Sequence, residues 1–230
     1  GDIAALRKGL LGPSLTQSVS GKVQPRSLSA VTWSMHADTQ AFALDRHNVF
    51  FRNTYASEFE DIFTHGKLPT QPTVYVCAQD RGTGTTPEGA ERLLCLVNAP
   101  ARGDKTQSDD ELQACAQSSQ ALMAASGLHL KLESTASCIR TTPQDFHQLF
   151  PATGGALYGQ ATHGWMAAFA RSNARSQLSG LYLAGGSVHP GPGVPMAAMS
   201  GRLAAAALMA DLGLTSLSRK TVTSGGTLTH

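Results

Sequence analysis

A serine and a histidine lie two residues apart in Gly185-Gly186-Ser187-Val188-His189. A hydroxyl beside an imidazole is the raw material of acyl transfer. That chemistry needs a G-x-S-x-G elbow, and His189 occupies the place of its last glycine. A metal centre is no better supported. No H-x-x-x-H pair of histidines carries a neighbouring carboxylate, and Cys77, Cys95, Cys115 and Cys138 are well separated with no C-x-x-C. The scattered Asp and Glu form no acid–base pair near the glycine turns. What remains is backbone chemistry. Gly191-Pro192-Gly193-Val194-Pro195 cannot be the interior of a helix or strand, and its glycines let a ligand approach the main chain.

The elements around that turn follow from the sequence. Leu181 to Ala184 is a short apolar run ending in Gly185-Gly186, the pattern of a buried strand feeding a tight turn. Pro195 suits the first turn of a helix, the Ala-rich run from Met196 favours helix, and Gly213 supplies the stop. A helix start presents unpaired N–H groups and the positive end of a dipole. Strand, turn and helix together make an edge for an anion or a cofactor.

Upstream, Ile3 to Leu11 reads as one short helix stopped near Gly12-Pro13. Ser27 to Met35 reads as a strand, with Leu28, Ala30, Thr32 and Ser34 on one face. His47 to Phe51 is a second strand. Thr54 caps a helix whose stripe of Tyr55, Phe59, Ile62 and Phe63 is expected to pack on a sheet, with Gly66 ending it. Thr73 to Ala78 and Leu93 to Val97 are strands paired across a long polar loop. Ser108 and Glu111 form a capping box for a helix carrying Leu112, Cys115, Ala116, Ser119, Leu122 and Met123. Thr142-Pro143 opens a short helix. The order, mixed rather than alternating, indicates an α+β arrangement with a mixed or antiparallel sheet. Tyr158 and Trp165, among glycines, are core aromatics or the walls of an apolar groove.

Composition narrows the classes. The 230 residues carry a formal net charge of +2 and 15% charged side chains, with no basic stripe, so nucleic acid is not an expected partner. No run reaches the ~18 apolar residues of a spanning helix. The start, GDIAALRKGLLGPSLTQ, lacks the apolar core of an export signal, so the thiols are expected to be reduced. It also lacks the G-x-G-x-x-G expected of a dinucleotide fold, as if the chain were the C-terminal part of a longer polypeptide.

Taken together, Gly185-Gly186-Ser187-Val188-His189-Pro190-Gly191-Pro192-Gly193-Val194-Pro195-Met196 resembles the C-terminal flavin motif of phytoene-desaturase-type carotenoid desaturases. TPQDFHQLFPATGGALYGQATHG matches the segment before it, and RSLSAVTWSM, HNVFF and PTVYVCAQDR are most similar to the 1-hydroxycarotenoid 3,4-desaturase (methoxyneurosporene dehydrogenase) branch. The likeness covers about residues 26 to 212.

The resemblance implies the C-terminal part of a two-domain, FAD-dependent, amine-oxidase-like fold. Residues 1–25 would be a remnant of the FAD domain or a linker. Residues 26–178 would form the substrate domain around a mixed sheet, 179–213 the closing strand, turn and helix of the FAD domain, and 214–230 a disordered tail. Gly185, Gly186 and Ser187 would lie along the ribityl-pyrophosphate, and Val194, Pro195 and Met196 at the flavin pyrimidine edge. His189 would be a turn residue near the flavin, and Gly193 part of the turn's approach to it. Tyr158 and Trp165 become groove candidates for a long apolar carotenoid. The implied reaction is 3,4-desaturation of an acyclic hydroxy- or methoxy-carotenoid, at the cytoplasmic side of the membrane as a peripheral protein. Phytoene desaturation, isomerisation, oxygenation and a non-catalytic apolar-ligand-binding remnant are the alternatives. The residues name no electron acceptor. Alone, the fragment should hold FAD weakly, because the pyrophosphate cradle is missing.

Overall fold

The computed structural model describes residues 2–19, 25–40, 42–82, 87–134, 137–161 and 171–214. Its centre is a six-stranded sheet: β1 (Ser29–Asp38), β2 (His47–Phe50), β3 (Val74–Ala78), β4 (Ala90–Ala99), β5 (Lys131–Leu132) and β6 (Cys138–Thr141). The order is β2-β3-β4-β1-β5, with β6 also on β1. The α+β class stands. All its described strand pairs are antiparallel, so the sheet is not mixed. Parallel neighbours need a crossover of a dozen or more residues, whereas β3 and β4 are joined as a hairpin.

The sheet has two unlike faces. One carries Val31, Ala37, Val74, Val76, Ala78, Leu93, Cys95, Val97 and Ala99, all buried beneath α3 (Asp109–Ala125) with its Leu112, Cys115, Leu122 and Met123. A cavity of about 290 Å³ remains there, lined by Trp33, Met35, Cys95, Met123 and Cys138 among others, and it leaves Trp33 and Met35 half-buried. The second face carries Val49, Tyr75, Cys77, Leu94, Leu96 and Ile139, none of them buried. The expected division of β1 is blurred, since Ser29 through Thr32 are buried on both sides.

At the rim of the α3 face, Arg81 and Glu91 are 6% and 1% exposed. Arg81 donates to both Glu91 oxygens, at 2.6 and 2.9 Å, and to the Leu44 carbonyl at 2.8 Å. Thr39 Oγ1 donates to Glu91 at 3.1 Å. A buried ion pair is tolerable only when its remaining donors and acceptors are satisfied in this way.

Two expected helix starts are built differently. Ser108 makes no side-chain cap for α3, and the Glu111 side chain, instead of closing a capping box, accepts from the Leu68 amide at 2.6 Å. Thr54 does not cap α2 (Tyr55–Phe59) either. The helix continues as a π-helical turn, Glu60–His65, closed by Gly66 at φ +62°. Of its expected stripe Ile62 is buried, at 4% exposed, and Phe59 half-buried, but Tyr55 is 48% and Phe63 53% exposed, while Glu58 is 1% exposed. Glu58 accepts from the Thr73 amide at 2.8 Å and from Asn98 Nδ2 at 2.7 Å, and Asp61 accepts from the Thr70 amide and hydroxyl at 3.0 Å. Hydrogen bonds to strand ends thus set the inward side of this helix. By contrast, α4 (Pro143–Leu149) has the reciprocal Thr142/Asp145 capping box.

Candidate functional site at the glycine turn

The N-terminal helix α1 (Ile3–Arg7) is shorter than expected and gives way to a 3₁₀ turn, Pro13–Ser18. Ile3, Leu6 and Val19 share a small core with Leu183 and Val188. The first and last segments of the chain therefore close on one another. The run Leu181–Ala184 forms no regular strand. Tyr182 makes one bridge, to Arg175, and Val188 another, to Ser172. An extended segment becomes a strand only where neighbours supply a ladder, and the described residues supply two isolated bridges.

From Gly185 the chain turns through Gly191 and Gly193, with φ of +124°, +135° and +103° and a cis His189–Pro190 peptide. A Cβ at Gly185 or Gly193 would meet nothing within 4 Å. Glycine is required there by the backbone and not by crowding. Helix α5 (Val194–Asp211) then starts behind Gly193 with no side-chain cap. Val194 is 86% exposed and Met196 40%. The positive end of an 18-residue helix is therefore open on the outside of the turn.

The other expected residues are placed as follows. Gly185 N–H donates to Ser200 Oγ at 2.8 Å, which fixes the turn's entry to α5. Ser187 Oγ accepts from the Ile3 amide at 3.3 Å, so its oxygen faces the α1 start. His189 N–H donates to the Ser172 carbonyl, and its side chain is half-buried. Tyr158 is half exposed, with its amide donating to Ser27 Oγ. Its neighbour Gly159 abuts Ser187: a Cβ there would meet Ser187 Cβ at 3.3 Å. The structure thus brings Tyr158's segment to the turn. Trp165 lies outside the described residues, as does 215–230.

Arg171 is the residue that pattern reading missed. It is 5% exposed, and its guanidinium donates to the carbonyls of Gly186 (3.3 Å), Tyr158 (3.1 Å) and Gln160 (3.3 Å). One cation ties the turn to the Tyr158 segment, and burial lowers its pKa. A lone arginine before a bland stretch carries no sequence signal for this. At the far end of α5, Asp211 accepts from Arg175 at 2.9 Å and from the Tyr182 hydroxyl at 2.7 Å. Those hydrogen bonds, Arg175's first, hold the Asp211 carboxyl below its usual range.

A flavin fits these residues on two counts. The turn leaves open space beside the α-carbons of Gly185 and Gly193, and the helix behind it presents a start with no side-chain cap. Both suit an electron-rich ring edge or an anionic linker.

Residues 31–209 match the family model of flavin containing amine oxidoreductases. The whole chain is 57% identical to a hydroxyneurosporene desaturase of Rubrivivax gelatinosus, covering 44% of that protein. It is 42% identical, over 92% of the chain and 42% of the relative, to a hydroxyneurosporene desaturase of Cereibacter sphaeroides. It is 32% identical, over 79% of the chain and 38% of the relative, to a 1-hydroxycarotenoid 3,4-desaturase of a Flavobacterium species. The chain spans less than half the length of these relatives.

Proposed function

The chain belongs to the flavin-containing amine oxidoreductase family, and from that membership we propose that the protein it comes from is an FAD-dependent carotenoid desaturase. It introduces the 3,4 double bond into an acyclic hydroxy- or methoxy-carotenoid. The observation that carries this reading is the 57% identity, along the whole chain, to a hydroxyneurosporene desaturase. The open turn in front of α5 supports it.

Desaturation removes two hydrogens from adjacent carbons, one with its electron pair and one as a proton. FAD, when bound, supplies the acceptor for the hydride. The residues of this chain hold and orient. Gly185, Gly186 and Ser187 would flank the ribityl-pyrophosphate. Gly193, Val194, Pro195 and Met196 would meet the pyrimidine edge, where the amides of Val194 and Met196 and the helix dipole offset negative charge. His189 shapes the turn. Arg171 keeps the Tyr158 segment against it.

Helix α5 exposes Met199, Leu203, Leu208 and Met209 as well as its start. A helix apolar on all sides is normally covered, and the greater length of the relatives supports cover by the rest of the protein. No helix among the described residues is long and apolar enough to cross a membrane. The protein would reach its membrane-dissolved substrate peripherally, from the cytoplasmic side.

The test is product mass. Full-length, flavin-loaded protein given a hydroxylated neurosporene-type carotenoid should yield a product two hydrogens lighter. An unchanged mass with altered retention would mean isomerisation, and a heavier product oxygenation. A colourless protein that binds no flavin would leave only an apolar-ligand module.

A further inference from the structure

Among the described residues two arginines are buried, Arg81 at 6% exposed and Arg171 at 5%, and they are satisfied in opposite ways. Arg81 donates to both oxygens of Glu91, so its charge is balanced where it sits. Arg171 has no such partner. Its acceptors among the described residues are the carbonyls of Gly186, Tyr158 and Gln160. The chain's 16 acidic side chains all lie in described segments, and none accepts a hydrogen bond from Arg171. Asp2 acts on it only through space. Asp2 Oδ2 and Arg171 Nη1 each lie 3.5 Å from the point that a Cβ on Gly159 would occupy, and Asp2 Oδ1 accepts from the Ala4 amide at 2.8 Å. Carbonyl dipoles solvate a cation without cancelling its charge, and a guanidinium does not give up its proton. A buried charge is costly unless it is paired.

The place of that charge is specific. The Arg171 side chain runs beneath the glycine turn: a Cβ at Gly191 would meet its Nε at 3.3 Å and its Cδ at 3.5 Å. Its Nη1 donates to the Gly186 carbonyl at 3.3 Å. The next residue joins in, with the Ser172 carbonyl accepting from the His189 amide at 2.9 Å. The loop from Gly186 to Gly191 thus closes over one guanidinium. The Gly186–Ser187 peptide is trans, so a carbonyl turned towards Arg171 sends the Ser187 N–H the opposite way.

We propose that Arg171 is a positioning residue for the cofactor: it clasps the Gly185–Gly191 loop onto the Tyr158–Gln160 segment, and its charge is balanced by the anionic diphosphate of bound FAD. The assignment rests on the flavin reading above, in which Gly185, Gly186 and Ser187 flank that linker. One peptide then stands between cation and anion. Its carbonyl accepts from Arg171, and its N–H is aimed at the phosphate side, where an anion can accept from it.

The experiment titrates the full-length apoprotein with FAD, read by quenching of flavin fluorescence, and records Tm of each apoprotein. Arg171→Met keeps the length of the side chain without its charge or donors, and should weaken FAD binding about 50-fold. Arg171→Lys restores the charge but not the fork of donors. It should bind FAD more weakly than the parent and clearly more tightly than Arg171→Met. The order of Tm should be crossed: without FAD, the lysine variant melts no higher than the methionine variant, because its charge is then buried unpaired. Arg175→Met is the control. Arg175 bonds to Asp211 at the far end of α5, and its loss should leave FAD affinity at the parent's value. Should Arg171→Met fail to fold, Arg171→Gln, neutral and polar, takes its place against lysine.

Equal FAD loss in the lysine and neutral variants overturns the proposal in favour of packing alone. A neutral variant that binds FAD as the parent does, but melts lower, overturns it in favour of a carboxylate elsewhere in the longer protein as the counter-charge. Failure of the desaturase reading looks different. A parent that binds FAD but leaves the mass of the carotenoid unchanged refutes that reading and leaves Arg171 its role, whereas a parent that binds no flavin overturns both.

Discussion

Gly193→Ala isolates what the turn contributes to flavin binding. Gly193 has φ +103° and ψ 145°, and a Cβ built there meets nothing within 4 Å. The substitution therefore creates no clash. Its whole cost is the backbone region, which is nearly glycine-only and strains an L-residue by about 1–3 kcal/mol. The exposed turn can shed that strain by rotating φ to negative values, and this would swing the Val194 amide away from its present direction. A cofactor that needs the amide must pay the strain back on binding. FAD affinity of the full-length apoprotein, titrated by quenching of flavin fluorescence, should weaken about 5- to 150-fold. Gly213→Ala is the control. It also has positive φ, +71°, and open space at Cβ, but sits past the other end of α5. It should lower Tm while FAD affinity stays within about twofold. A Gly193→Ala protein binding FAD as tightly as the parent would refute the reasoning, as would an equal loss in Gly213→Ala.

Other outcomes follow from the same contacts. Arg81→Met leaves Glu91 charged and buried without its partner, and should cost about 3–5 kcal/mol in urea unfolding; replacing both residues by apolar ones should cost clearly less. Arg26 forms two 2.7 Å hydrogen bonds with Asp104 and holds that carboxyl down to about 2. Because the folded pKa is depressed, the stabilisation is full above the unfolded carboxylate pKa of ~3.9 and fades as pH falls towards 2. Arg26→Met should thus lower Tm at pH 6, the deficit shrinking towards pH 2 to what the bonds of Arg26 to the Ala101 and Ala152 carbonyls contribute. Burial pushes the Cys95 and Cys115 thiols up to about 12. Mass spectrometry after iodoacetamide at pH 8 should find both unmodified in the folded protein and alkylated in urea.

Sequence periodicity located α3 and the β3–β4 hairpin because their apolar residues face the core, as the pattern assumes. The glycine turn was legible because positive φ leaves few residue choices. The α2 segment was not. Tyr55, Phe59, Ile62 and Phe63 read as a buried stripe, yet of these Ile62 alone is buried, and Glu58 and Asp61 join it on the inward side by accepting from the Thr73 and Thr70 amides. Such bonds depend on where strand ends arrive in space, which no local pattern encodes. The same limit hid Arg171, whose three carbonyl partners come from two segments. The Ser108–Glu111 spacing matched a capping box, but the Glu111 side chain accepts from the Leu68 amide instead.

The small core that joins α1 to the turn sets a timetable for assembly. Ile3 donates to Ser187 across 184 positions of chain, and Leu6 packs in the same cluster as Val188. Contacts of such sequence separation form late, after the loop-closure entropy between them has been met. During synthesis the antiparallel sheet can close once β6 has left the ribosome, whereas α1 must wait, half-dressed, for residues 183–188. The turn that would meet the flavin thus follows the whole sheet in the chain, and a nascent chain stalled before Leu183 would carry a formed sheet without it.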